Sequence, residues 1–209
     1  GSNRGGVLQE HPIYLDQADL DYIAGFDLVH TTNNGFVDSL LPQLSQLPPF
    51  VSYDFSYRWN EEDRVERVCP YIDFAFLSCS GLDDVQTQDL CRRLHEKGCG
   101  VVTATRGSKG ATVFDGSRFY EQSPHLVEPV DTMGAGDSFA TAMLTSLLQA
   151  LEREGRNAWS WESFRSNALP QALDKAAAFS ARNCLVHGAF GCGVPVPEEL
   201  RPRMYEGIQ

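Results

Sequence analysis

Apolar extended runs alternate along this chain with longer amphipathic stretches, the pattern of an α/β fold built on a largely parallel sheet. Asp16 can cap a short helix through Ile23 that stops at Gly25, and Phe26 to His30 then reads as a strand. Phe50 to Asp54 and Ile72 to Leu77 are two further strands, with a charged helical segment around residues 61–68 between them. A helix from Asp84 to Lys97, ended by Gly98, leads into the strand Gly100 to Thr105. Ala111 to Phe114 and Arg118 to Tyr120 form a hairpin around Asp115-Gly116, a dipeptide suited to tight turns.

An extended run from Leu126 to Val130 precedes D-T-M-G-A-G-D-S-F-A-T-A-M-L-T-S-L-L-Q-A-L, whose second half is a helix with apolar residues on most faces. Such a helix belongs in the middle of the fold. The last helix is expected from Leu169 to Val186, rich in small residues (Ala176, Ala177, Ala178, Ala181) and ended by Gly188. Residues 153–166 then form a polar connector carrying Trp159 and Trp161. With 209 residues, 42% of them hydrophobic, the chain can bury one sizeable core and reads as a single domain.

Charge narrows the partners. Seventeen basic against 28 acidic residues give a formal net charge of -11, which repels nucleic-acid backbones and anionic membrane surfaces. A nucleotide remains admissible, because backbone amides and a few cations decide a phosphate site. The six cysteines lack the density of a secreted disulfide scaffold and suit a reduced, cytoplasmic setting. Cys184, His187 and Cys192 lack a C-x-x-C half and a fourth ligand, and are read as buried thiols beside a loop histidine. No apolar run approaches the roughly 20 residues of a membrane helix.

Gly134-Ala135-Gly136-Asp137 follows an extended run and opens the long helix. The first amides of a helix lack internal partners, and the helix dipole adds partial positive charge, so the stretch can form an anion hole. Small residues let a phosphoryl group approach the backbone. Asp137, in the first turn, can accept the proton of an attacking hydroxyl. By itself G-x-G-D also fits a tight strand-to-helix loop with an acidic first turn. No G-x-G-x-x-G opens a first βα unit, which disfavours a dinucleotide-binding dehydrogenase.

The stretch D-T-M-G-A-G-D-S-F resembles the C-terminal motif of the ribokinase-like (phosphofructokinase B) family of carbohydrate kinases. Upstream, Thr105-Arg106-Gly107-Ser108-Lys109-Gly110 is similar to the family's T-x-G-x-x-G turn, which cradles ATP phosphates; without the resemblance it serves equally as a hairpin connector. The helix ending Val186-His187-Gly188-Ala189 resembles the family's last helix under the adenine, which puts Ala177 near the base, although alanines also serve plain helix packing. The resemblance implies a three-layer sandwich, ATP with Mg2+, Asp137 as catalytic base, and an anion hole at Gly134, Ala135 and Gly136. It further implies a K+ site from Asp131 and the carbonyls of Met133, Asn183, Val186 and Gly188.

Tyr53-Asp54-Phe55-Ser56-Tyr57-Arg58-Trp59 looks most like the fructoselysine 6-kinase group, and is also similar to a D-x-N-x-R strand end with Ser56 in place of Asn. Asp54 and Arg58 thereby become candidates for contact with a sugar or a phosphate, Arg58 being equally readable as a surface arginine. Where the family has N-x-x-E for magnesium, this chain has Ser78-Cys79-Ser80-Gly81, with Asp83 or Asp84 as substitutes. Nothing before Asp16 resembles the sugar-holding first third of a family member, with its strands and lid. The expected function is phosphorylation of a sugar hydroxyl, with a fructosamine-type sugar leading, the alternative being a catalytically silent nucleotide-binding module. A homodimer, or association with a missing N-terminal segment, stays open.

Overall fold

A computed structural model describes residues 13–192 of the chain. Six strands lie in sequence order in one sheet: β1 Leu28–Thr32, β2 Phe50–Ser56, β3 Phe74–Ser78, β4 Val101–Thr105, β5 Ala111–Phe114 and β6 Phe119–Gln122. The first four are parallel and the last two antiparallel. Parallel neighbours need crossovers. These are α2 Leu41–Leu44 with the short turn before it, α3 Glu62–Val68 and α4 Asp84–Glu96. Before β1 comes α1, Gln17–Ile23, opened by a reciprocal cap in which Asp16 and Asp19 bond each other's amides.

Alternation along the central strands divides the core into two layers. Val51, Tyr53, Phe55, Ala75, Leu77, Val102 and Ala104 face α2, α3 and α4. Phe50, Phe74, Phe76, Val101, Ala111 and Val113 face α5 (Ala135–Glu154) and α6 (Glu162–Asn183). With both faces covered, strands of a parallel sheet read as near-continuous apolar runs. The expected three-layer α/β sandwich with a largely parallel sheet is what the chain adopts.

Several boundaries differ from the sequence reading. α6 begins at Glu162, inside the stretch expected to be a connector, continues through Pro170, and ends at Asn183 rather than Val186. Its early start is fixed by tertiary contacts. The Trp159 ring packs on Phe50, Phe74 and Phe164 at 5.9, 5.1 and 6.4 Å, and Arg165 Nη1 donates to the Trp159 carbonyl at 2.9 Å. β1 starts at Leu28 because Phe26 packs edge-on against Tyr22 at 5.0 Å, in the turn that leaves α1. Residues Leu126 to Val130 pair with no strand. Cys69, Cys79, Cys91 and Cys99 are buried, whereas Cys184 and Cys192, expected as buried thiols, are half-buried and exposed because they lie at and beyond the end of α6. No described helix is long and apolar enough to cross a membrane.

One polar network crosses the layer under α3. The Tyr53 hydroxyl donates to Asp38 at 2.8 Å, and Arg64 Nη1 donates to Asp38 at 2.6 Å and to the Tyr53 oxygen at 2.9 Å. Burial and the Asp38 charge push the Tyr53 phenol well above its ordinary range. Arg67, 3.2 Å from Asp38, is a second and more exposed cation. Arg64→Met therefore removes the better-buried cation from a mostly buried carboxylate, leaving it Tyr53 and the exposed Arg67, and should cost about 2–3 kcal/mol. Lys97→Met, which removes surface pairs to Glu62 and Glu66, should leave the urea midpoint close to wild type. Equal losses in the two variants would contradict this account of the network.

Candidate active site

The start of α5 is set by Gly134, whose φ of 74° lies in the left-handed region, and where a Cβ would stand 2.9 Å from that of Ala189. Both conditions call for glycine. The turn gives the Ala135 amide to the Thr132 carbonyl at 3.2 Å, and the Ser138 amide returns to Gly134 at 2.9 Å. Among the described residues, the amides of Gly134, Gly136 and Asp137 meet no protein acceptor. Gly136 has nothing within 4 Å of where a side chain would begin, so the protein's own packing does not require a glycine there. An open amide beside open space at a helix N-terminus suits an anion.

The Thr105–Gly110 turn stands opposite. Gly110, at φ 91° and with a Cβ position only 2.0 Å from the Gln122 carbonyl, lets β6 pass directly behind the turn. Thr105, Gly107, Ser108 and Gly110 line one wall of a cleft of about 470 Å3. Ala135 and Gly136 form its floor, and the small-residue face of α6 with Ala177 forms the far wall. Pro124 to Val127 close one side. The Thr105 hydroxyl is given to the Leu77 carbonyl at 3.1 Å. Lys109 Nζ lies 3.4 Å from the Leu82 carbonyl and pairs with no carboxylate among the described residues. Arg106 does not line the cleft; its guanidinium is tied to Asp84 and Glu121. Asp83, the other acid considered for magnesium, caps α4 by accepting the Gln86 amide at 2.8 Å.

Beneath the anion-hole amides the end of α6 meets the loop entering α5. Asp131 accepts the Met133 amide on one oxygen and the Gly188 amide on the other, both at 2.9 Å. These bonds hold its carboxyl below the usual carboxylate range. Asn183 donates to the Met133 carbonyl at 2.9 Å, and the Val186 amide reaches the Asn183 carbonyl at 3.4 Å. Ser180 donates to the Ala135 carbonyl at 2.8 Å. Asp131, Met133, Asn183, Val186 and Gly188 thus come together at one junction. A carboxylate and main-chain carbonyls are the hard oxygen donors an alkali cation takes.

Asp137 follows the cleft-lining Gly136 in the first turn of α5, its carboxylate bonded to no described residue. Its charge reaches the carboxyl end of β2, where burial first and Asp137 second push the Asp54 carboxyl up to about 6, against a bond from the Ser56 amide. Asp54 and Arg58 do not line the cleft. Arg58 Nη1 bonds Glu61 at 2.9 Å. Two residues that sequence reasoning passed over stand with them. His30 bonds the Ser52 hydroxyl at 3.0 Å, and crowding holds its imidazole below the usual value while Asp137 works in the opposite direction. Asn33, almost fully buried, directs its amide oxygen to Arg58 Nε and its nitrogen to the Asp54 carbonyl, each at 3.2 Å. The signal was the polar turn Asn33-Asn34-Gly35 at the carboxyl end of a strand, where α/β sheets place ligands.

Comparison with known proteins agrees with this arrangement. The sequence model of the pfkB family carbohydrate kinases matches residues 7–196. The chain is 36% identical to the fructosamine kinase FrlD of Bacillus subtilis over 194 residues, covering 93% of this chain and 62% of that protein. It is 31% identical to the fructoselysine 6-kinase of Escherichia coli, covering 84% and 60%. It therefore spans about three fifths of the length of these relatives. An Arabidopsis thaliana ribokinase structure with ribose and ATP superposes with a TM-score of 0.64 at 19% identity, over 85% of this chain and 56% of that one. The ribokinase of Giardia lamblia gives 0.67 at 14% identity, over 88% and 61%. Motif, layer order and cleft converge with a family match across most of the sequence, and the chain belongs to the pfkB family of carbohydrate kinases.

Proposed function

We propose that this chain is the nucleotide-binding and phosphoryl-transfer part of an ATP-dependent sugar kinase, with a fructosamine-type sugar as acceptor. One observation carries the reading: the Asp137 carboxylate, without a partner among the described residues, follows the cleft-lining Gly136 and is close enough for its charge to act on Asp54 and His30. The names of the relatives, a fructosamine kinase and a fructoselysine 6-kinase, support the acceptor class.

In this reading the base lies against Ala177 and the small residues of α6, and the phosphates run between the Gly107–Gly110 turn and the start of α5. The amides of Gly134, Gly136 and Asp137 face the terminal phosphoryl group and take up charge as it develops, while Lys109 supplies a mobile cation. Asp137 takes the proton of the acceptor hydroxyl as its oxygen bonds the terminal phosphorus and the bond to the leaving diphosphate breaks. Among the described residues no group of three or more His, Cys, Asp or Glu could hold a metal. Magnesium bound to the phosphates would neutralise part of their charge. An alkali cation at the Asp131 junction would stiffen the loop beneath the same amides.

A second reading, a nucleotide-binding module without turnover, is favoured by the outer edge of β1, which pairs with no strand among the described residues. ATP consumption with fructoselysine and a panel of ketoses separates the two. Turnover that depends on a fructosamine supports the kinase; ATP binding without turnover supports the silent module.

Two expected outcomes follow for a form with measurable turnover. Asp137→Asn keeps the volume and removes the proton acceptor, so turnover should fall about 10²- to 10⁴-fold. ATP affinity should hold or tighten, because a like charge leaves the neighbourhood of the phosphates. Near-normal turnover would remove Asp137 as the base and leave it a helix-start residue. Replacing tetramethylammonium by potassium at equal ionic strength should raise ATP affinity or turnover, and identical behaviour in the two salts removes the cation from the account.

A further inference from the structure

Of the six residues in the Thr105–Gly110 turn, Arg106 is the one whose charge looks best suited to a phosphate, and it is withdrawn from the cleft. Its side chain is 8% exposed. Nη1 is held by Asp84 in the first turn of α4, and Nη2 lies 3.5 Å from Glu121 of β6, whose same oxygen accepts the Thr112 hydroxyl at 2.7 Å. Nε has no acceptor at all. Its backbone closes the turn from both sides: the Arg106 amide donates to the Gly110 carbonyl at 2.8 Å, and its carbonyl accepts the Lys109 amide at 3.1 Å.

Charge decides between two roles for such a residue. One guanidinium against two carboxylates is a group of net charge -1, so the ensemble offers a phosphate no net attraction. The same three side chains join α4, the turn and the β5–β6 hairpin around a single buried centre. We infer that Arg106 is a positioning residue that fixes the cleft-facing Gly107, Ser108 and Gly110 through Asp84 and Glu121, without touching the nucleotide. This inference rests on the nucleotide reading of the cleft and deepens it. Planar, forked donors can bridge two carboxylates from different elements at fixed angles, which a lysine reproduces only in part.

The test is calorimetric titration of ATP and of adenosine into the wild-type chain, Arg106→Met, Arg106→Lys and the double variant Asp84→Asn/Glu121→Gln, with folding of each checked by circular dichroism and melting. Arg106→Met should weaken ATP about 10- to 100-fold, as loss of an outer supporting contact does, while adenosine affinity stays within about twofold. Arg106→Lys should restore part of the loss. The double variant should also weaken ATP, although it removes negative charge and frees Arg106. That arm is decisive, since a direct phosphate ligand predicts the reverse. Tighter or unchanged ATP binding in the double variant, or unchanged binding in Arg106→Met, overturns the positioning role. A wild-type chain that binds no ATP instead sinks the nucleotide reading of the cleft, and with it the premise of this inference.

Discussion

Everything proposed for the cleft depends on how α6 grips the loop that enters α5. Three side chains make that grip: Asp131 on the amides of Met133 and Gly188, Asn183 on the Met133 carbonyl, and Ser180 on the Ala135 carbonyl. Because these bonds fix the backbone on both sides of Gly134, the left-handed turn there sets the start of α5, where Ala135 and Gly136, the latter with a free amide among the described residues, line the cleft. The apolar length of α5 against Phe74, Phe76 and Val113 then holds that direction. Packing, caps and the anion hole are one construction, and the phosphoryl chemistry assigned to it needs no other rigid part.

Under the proposed function, that construction is what would let a chain of net charge -11 receive a triphosphate. Few full cations stand at the cleft. Arg106 is neutralised by its two carboxylates, Arg58 lies outside, and Lys109 is the cation of the turn. Amide dipoles therefore supply most of the local positive potential, and they do so at fixed positions. Asp137 and Asp54, coupled by charge, are not among the residues lining the cleft, and in the proposed function they serve the acceptor hydroxyl rather than the phosphates. Burial raises the Asp54 carboxyl, and the charge of Asp137 adds to it.

How much of this could be read from the sequence follows from the range of the interactions. The strands and the cap of α1 were legible because their determinants are local: alternating apolar runs, and Asp16 before the first helical turn. The anion-hole stretch was legible for the same reason, its small residues and Asp137 being contiguous. The start of α6 was not, because Glu162 to Pro170 is polar and proline-bearing and is held helical by Trp159 against two strands more than eighty residues away in the chain. The ion pairs of Arg106 were not legible, since its partners Asp84 and Glu121 lie 22 and 15 residues off and carry no local mark. His30 and Asn33 became visible only when the register set Thr32 beside Asp54.

The central claim is that the cleft between the Thr105–Gly110 turn and the start of α5 is a nucleotide site. Calorimetric titration of the chain with a non-hydrolysable ATP analogue and magnesium tests it most directly, with NAD as the control ligand. The account predicts saturable one-to-one heat with the ATP analogue, a matching rise in melting temperature, and no response to NAD. A folded chain that gives neither heat nor thermal shift with the analogue would contradict it.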